Sequence, residues 1–239
     1  NNITIISGKG SLSVSPNEGA RINSLRYDSL ELLSEKEIHP IYFGSSLWLS
    51  PSKIYWPPSE VLDQAPYTYE KQGNGYVFKS LNDKTQNLSY IKEVYPIDSG
   101  RVISFSIRYT ITNIGQNIKS LAAWQVTRLP KDGISFFPIG QTQNTIYKEL
   151  DPSIKMIRKN GIIWHAYEPA DTLLSDNRSK FFCDGSEGWI AFINKKHLFV
   201  KQFPDVDPAN FAPGETDIEI YVKDVLPYIE IEIQSAYET

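Results

Sequence analysis

Cysteine and histidine are scarce in this sequence. The one cysteine, Cys183, excludes an intrachain disulfide and any zinc site built from several cysteines, and it leaves both redox environments open. Three histidines, His39, His165 and His197, are too few for a histidine-rich metal centre, so neither a metal nor a cofactor is expected. Basic blocks are missing. The 24 Lys+Arg stand against 28 Asp+Glu, a net charge of -4, which argues against a nucleic-acid protein held by phosphate contacts. No apolar run approaches the ~20 residues of a spanning helix, so no membrane span is expected. The opening Asn1-Asn2-Ile3-Thr4 has neither the basic nor the apolar region of a signal peptide. A chain matured by cleavage would read the same, and the compartment stays open, with periplasmic or extracellular slightly favoured over cytoplasmic. Helical periodicity is nearly absent, and there is no Gly-rich phosphate loop, Gly-x-Ser-x-Gly elbow or His-Glu-x-x-His.

What is abundant is aromatic side chains, 13% of the 239 residues, and a period of two. In Arg101–Asn113, Val102, Ser104, Ser106, Arg108, Thr110 and Thr112 alternate with Ile103, Phe105, Ile107, Tyr109 and Ile111. Such alternation places one side of a strand in a core and leaves the other polar. Leu12–Pro16, Ala20–Tyr27, Gly75–Leu81, Leu88–Val94, Ile118–Arg128 and Gly161–His165 read the same way. So do Trp189–Ile193, Leu198–Phe203, Ile218–Val222 and Tyr228–Gln234. Asn113–Asn117 and Asn194-Lys195-Lys196-His197 read as hairpin tips, and Pro130-Lys131-Asp132-Gly133 as a turn. One short helix is expected at Pro57–Asp63. No linker or repeat divides the chain. The expected fold is a single all-β domain over residues 1–239, with at least ten antiparallel strands. With no helices to cover it, the apolar face of one sheet must pack on another, giving a large sandwich.

Two stretches could carry chemistry. Ile41–Tyr69 is the least strand-like, and it sets Trp48, Tyr55 and Trp56 among Pro51, Pro57, Pro58 and Pro66. The tryptophans either plug the end of the sandwich or offer flat faces to the C–H side of a sugar. The second stretch is Tyr228–Gln234, where Tyr228, Glu230, Glu232 and Gln234 share one side; Glu219 repeats the pattern in Asp217–Tyr221. These glutamates either form a solvated face or a site. In a site, cations, hydroxyls or water must separate them, and Lys201 is a candidate cation. Arg128, at the end of a strand, is a surface residue or a clamp for a carboxylate or hydroxyl pair. His165 reads as structural unless the fold brings it to the site; His39 and His197 read as surface residues. Cys183 has no histidine partner in a nucleophile motif.

Several segments resemble the galactose mutarotase-like superfamily. Gly19-Ala20-Arg21-Ile22-Asn23-Ser24-Leu25-Arg26-Tyr27 followed by Leu30-Glu31-Leu32-Leu33 is similar to its opening hairpin, and Tyr109-Thr110-Ile111-Thr112-Asn113 to its central strand. Gly44–Pro51 with Trp56-Pro57-Pro58, and Gly188–Ala191 with Leu198–Lys201, look like an uncharacterised bacterial branch of it. The resemblance implies an antiparallel β-supersandwich with a sugar site on the concave face of the larger sheet. In mutarotases a glutamate takes the anomeric proton and a histidine across the sugar protonates the ring oxygen. Ile231-Glu232-Ile233-Gln234 resembles the glutamate segment, which makes Glu232 the implied base. Neither stretch that would carry a histidine, Leu121–Val126 or Gly44–Pro51, contains one. The chain also stops soon after the Glu232 strand, so a final strand is expected to be missing or supplied differently.

The resulting expectation is a carbohydrate-binding protein, its partner a sugar or oligosaccharide, without standard mutarotase activity. Trp48 and Trp56 would stack on the sugar, while Arg128, Lys201, Glu219, Glu230 and Glu232 fix hydroxyls or an acidic group. The alternative is an aldose 1-epimerase with Glu232 as general base and an unusual acid, His165 or Lys201. A third reading is a structural module with no small-molecule site.

Overall fold

The period-two segments form strands, and the computed structural model describes residues 2–98, 100, 102–140, 147–148, 154–167, 178–194, 197–223 and 225–239. In chain order these give β1 (Ile3–Ser7), β2 (Gly10–Ser15), β3 (Arg21–Tyr27), β4 (Leu30–Glu31), β5 (Ser45–Ser50), α1 (Ser52–Tyr55) and α2 (Glu60–Asp63). Next come β6 (Thr68–Gln72), β7 (Gly75–Lys79), β8 (Leu88–Asp98), β9 (Ile103–Asn113), β10 (Ala122–Pro130), β11 (Ile134–Pro138) and β12 (Tyr147–Lys148). The chain ends with β13 (Ile154–Lys159), β14 (Ile162–Tyr167), β15 (Arg178–Cys183), β16 (Trp189–Asn194), β17 (His197–Gln202), β18 (Ile218–Lys223) and β19 (Tyr228–Gln234).

Three antiparallel sheets result. The largest has ten strands in the order β1-β2-β3-β5-β10-β19-β18-β15-β12, with β4 on β3. A meander β6-β7-β8-β9 forms a four-stranded sheet, and β13-β14-β11-β16-β17 a five-stranded one. One face of the large sheet supplies Leu12, Leu47, Leu129, Ile220 and Ile231 to a core that Phe78, Leu88 and Val94 enter from the four-stranded sheet. Phe137, Ile163 and Ile190 enter the same core from the five-stranded sheet. The molecule is therefore an all-β sandwich, and its apolar burial is the main favourable term in folding.

One turn and one loop differ from the sequence reading. Asn113–Asn117 is not a hairpin tip, because β9 and β10 lie in different sheets and the segment crosses between them. Its Asn113 side chain accepts from Gly115 N and donates to Asn117 O, so the turn chemistry is right and the connection is not. Asn194 and His197 do pair across a hairpin, while Lys195 and Lys196 lie outside the described residues. Ile41–Tyr69 contains a strand after all. All six residues of β5 are buried, so both of its faces carry large or small packing residues and the polar alternation disappears.

That segment is pinned to the sheet at several points. Gly19 has φ +64°, and its N–H donates to Ala65 O. A Cβ there would stand 2.0 Å from the Asp63 carbonyl oxygen. The buried Lys92 ammonium donates to Gly19 O at 2.6 Å, and burial pulls its pKa down to about 7.

The core face also holds two residues expected at the site. His165 is fully buried, packs against Phe181 with ring centroids 5.5 Å apart, and has no hydrogen-bond partner on either nitrogen among the described residues. Burial lowers its pKa to about 4. Lys201 donates to Thr127 Oγ1 at 2.9 Å, in a chain that continues through Ser45 and Gln125 to Tyr109. Burial lowers its pKa to about 7.

Two outcomes follow from these contacts. Replacing Gly19 with Ala should destabilise the fold by on the order of 3 kcal/mol, because a left-handed backbone and a backbone overlap are both involved; a denaturation midpoint unchanged from wild type would contradict this. The depressed pKa of His165 favours its neutral form in the native state, so its contribution holds above pH 6.5 and is lost as pH falls toward about 4. His165→Leu should remove that acid-side loss, ~3 kcal/mol in full, and flatten the stability profile between pH 7 and pH 4 in urea titrations.

Candidate functional site

The other face of the ten-stranded sheet is polar and aromatic. Register alone assembles it. Val126 on β10 stands beside Glu232 on β19, Glu232 beside Glu219 on β18, and Glu219 beside Phe182 on β15. In the next row Arg128, Glu230, Tyr221 and Lys180 follow one another across the same four strands. Trp124 pairs with Trp48 on β5 and with Gln234 on β19. Because side chains alternate along each strand, all of these point away from the core occupied by Leu129, Ile220 and Ile231.

Ionic pairing dominates the rows. The Lys180 ammonium lies 2.7 Å from Glu219 Oε2 and 2.9 Å from Glu232 Oε2. It also sits over the Trp124 ring, 4.4 Å from the centroid, and 5.3 Å from that of Phe182. Gln234 Nε2 donates to Glu219 Oε1 at 2.7 Å. Arg128 is fully buried; its Nε donates to Glu230 Oε1 at 2.8 Å and its Nη1 to Ser46 Oγ at 3.2 Å. Burial, and then the like charge of Glu232, push Glu219 well above the ordinary carboxylate range against the pull of Lys180. Burial also raises Glu230, with Arg128 opposing. Burial works against the charge on Lys180, but Glu232 and Glu219 hold its pKa above that of an ordinary lysine, so it stays protonated.

The aromatic wall adjoins these carboxylates. Trp48 contacts Trp124 and Trp56 edge-on, with centroids 5.1 Å apart in each case, and Tyr42 stacks on Trp56 at 6.3 Å. The wall and the acids are joined directly: Trp124 Nε1 donates to Glu232 Oε2 at 2.6 Å. Trp48 is fixed from behind, because its Nε1 donates to Asp63 Oδ1 at 3.0 Å and Asp63 is held by Arg21 at 2.9 Å. Trp56 is 47% exposed and the Lys180 side chain 18%, so the open part of the face pairs a flat ring with an ammonium.

The structure brings Trp48, Trp56, Arg128, Glu219, Glu230 and Glu232 to one face. It does not bring His165 or Lys201 there. Both point into the core on the opposite side of the sheet, because the strand parity that turns Glu232 outward turns Thr127, the partner of Lys201, inward. The cation between the glutamates is Lys180, which sequence reasoning missed. Its strand, Arg178–Cys183, loses the polar alternation where Phe182 joins the aromatic face. His39 was also missed. Rather than a surface residue it is half-buried at the rim, stacked on Tyr42 at 5.1 Å and edge-on to Tyr228 at 6.0 Å. Its Nδ1 accepts from the backbone N–H groups of Ile41 and Tyr42, which leaves the proton on Nε2. Burial and the nearby Arg128 lower its pKa, so it offers a hydrogen bond rather than a labile proton.

Among the described residues no group of three or more His, Cys, Asp or Glu is placed to hold a metal ion, and no helix is long and apolar enough to cross a membrane. No curated protein matches the sequence. In fold the chain is similar to the Slr1438 protein from Synechocystis sp. PCC 6803, with TM-score 0.54 at 11% identity over 98% of this chain and 85% of that one. A family model described as a domain of unknown function, DUF4380, matches residues 42–239, the stretch that runs from Tyr42 through every strand of the aromatic and acidic face. The chain belongs to the DUF4380 family.

Proposed function

We propose that the polar face of the ten-stranded sheet binds a sugar or oligosaccharide, and that the protein is a carbohydrate-binding member of the galactose mutarotase-like superfamily without standard mutarotase activity. One observation carries the reading: the Trp124–Glu232 hydrogen bond of 2.6 Å, which makes the indoles and the carboxylates parts of one surface. A pyranose laid on Trp56 buries its C–H face, and Glu230 and Lys180 stand within the same face to meet its hydroxyls. The two cations described beside the indoles and glutamates, Lys180 and Arg128, are each paired with a carboxylate. A neutral sugar therefore suits the face better than the uronic or sulfated sugar that an unpaired lysine would attract.

Ordinary mutarotation needs an acid and a base on opposite sides of the sugar. His165 and Lys201 face the core, the Nδ1 lone pair of His39 is taken by two backbone N–H groups, and Lys180 holds its proton tightly. One observation favours the second reading, an aldose 1-epimerase with Glu232 as general base. Glu219 stands opposite Glu232 on the neighbouring strand, and burial raises its pKa, the direction expected of the acid in an acid–base pair.

Two measurements separate these readings. Titration with a panel of neutral, amino and acidic sugars should quench tryptophan fluorescence, with neutral sugars ahead of acidic ones. Trp56→Ala should weaken binding by ~10-fold or more while changing stability little, since its ring is half exposed. No response to any sugar would remove the binding reading and leave a structural module. Polarimetry on pure α-glucose or α-galactose should give the uncatalysed rate with wild type. Acceleration that Glu232→Gln abolishes would establish the epimerase instead.

A further inference from the structure

The four- and five-stranded sheets back the same large sheet, yet their outer faces differ in kind. On the four-stranded sheet, Ser106, Arg108, Thr110 and Thr112 of β9 point outward and are exposed, as a solvated sheet requires. On the five-stranded sheet the outward row across all five strands is Ile157, Trp164, Phe136, Ala191 and Val200. The neighbouring row includes Ile134, Ile193 and Leu198. Ile157, Leu198, Val200, Ile134 and Ile193 are between 38% and 59% exposed. Phe136 stacks on Trp164 at 4.7 Å and meets Trp189 edge-on at 6.0 Å. One apolar row that crosses the whole sheet, flanked by a second over its three strands β11, β16 and β17, marks a covered surface, unlike single exposed leucines.

We propose that this face is the interface of a homodimer, formed by two copies packing their five-stranded sheets face to face. The inference is independent of the sugar-binding reading. Strand spacing of ~4.8 Å and ~6.8 Å between same-face residues give these rows an apolar centre of roughly 260 Å². A stable interface needs about 800 Å² per partner, an apolar centre of that order surrounded by a polar rim. The rim is self-complementary. Lys159 closes β13, one edge strand of the sheet, and pairs with Ile162, which starts β14. Glu187 lies just before β16 and receives Trp189 Nε1 at 3.3 Å, and the preceding Ser186 N donates to Pro138 O at the end of β11. Ile162 also pairs with Pro138, so Lys159 and Glu187 flank one end of the sheet from opposite sides. A two-fold axis along the central strand β11 lays Lys159 against Glu187 of the partner subunit, twice per dimer.

Sedimentation equilibrium of the full chain tests this. The wild type should be a dimer at micromolar concentration. Leu198→Glu should raise the dissociation constant by ~100-fold or more, with far-UV circular dichroism unchanged because Leu198 is exposed in the single copy. Lys159→Glu should weaken the dimer by ~10-fold, and adding Glu187→Lys should restore it. A monomeric wild type would overturn the proposal. So would a dimer indifferent to both Leu198→Glu and Val200→Glu.

Discussion

The ammonium of Lys180 between Glu219 and Glu232 is the contact on which the polar face depends. Three glutamates stand on adjacent strands of one sheet, nearly sealed from water, where like charges repel and each ion has lost its hydration. A sheet cannot relieve this by moving a side chain, because register fixes every row. Lys180 and Arg128 are the relief: one ammonium serves two carboxylates, and one guanidinium serves the third. A hydrophobic row of the same shape would stabilise the sandwich at least as well, so the charges are a poor device for stability alone. Their placement against three indoles is what makes a ligand-binding surface the better account of them.

The aromatic side of the face depends on a different support. Trp48 is held by β5, which pairs with β10, but Trp56 follows it in a stretch where only the four-residue helices α1 and α2 are regular. The position of that stretch is set from outside by Gly19, Lys92 and the Arg21–Asp63 pair, which reaches Trp48 directly. Strands β1–β3 and the meander β6–β9 therefore contribute to the site without supplying a ligand-facing residue.

Much of the fold was legible because burial on one side of a strand writes a period of two, as in Ile103–Asn113 and Tyr228–Gln234. It faded where both faces are covered. Ser45–Ser50 is buried throughout, and in Arg178–Cys183 the aromatic Phe182 sits on the face that alternation would make polar. The glutamates and tryptophans were readable as candidates from spacing. Their neutralising cation was not, since Lys180 and Lys201 look alike in sequence and only strand parity sends one to the glutamates and the other to Thr127. The same holds for the histidines: the ring of His165 is enclosed in the core, while His39, which reads as a surface residue, reaches the rim.

The polar face of the ten-stranded sheet as a saccharide site is tested most directly by a crystal structure of the protein soaked in a sugar that quenches its fluorescence. The account expects a pyranose ring against Trp56, with hydroxyls on Glu230 and Lys180. A sugar ordered on any other surface while this face holds only water would contradict it.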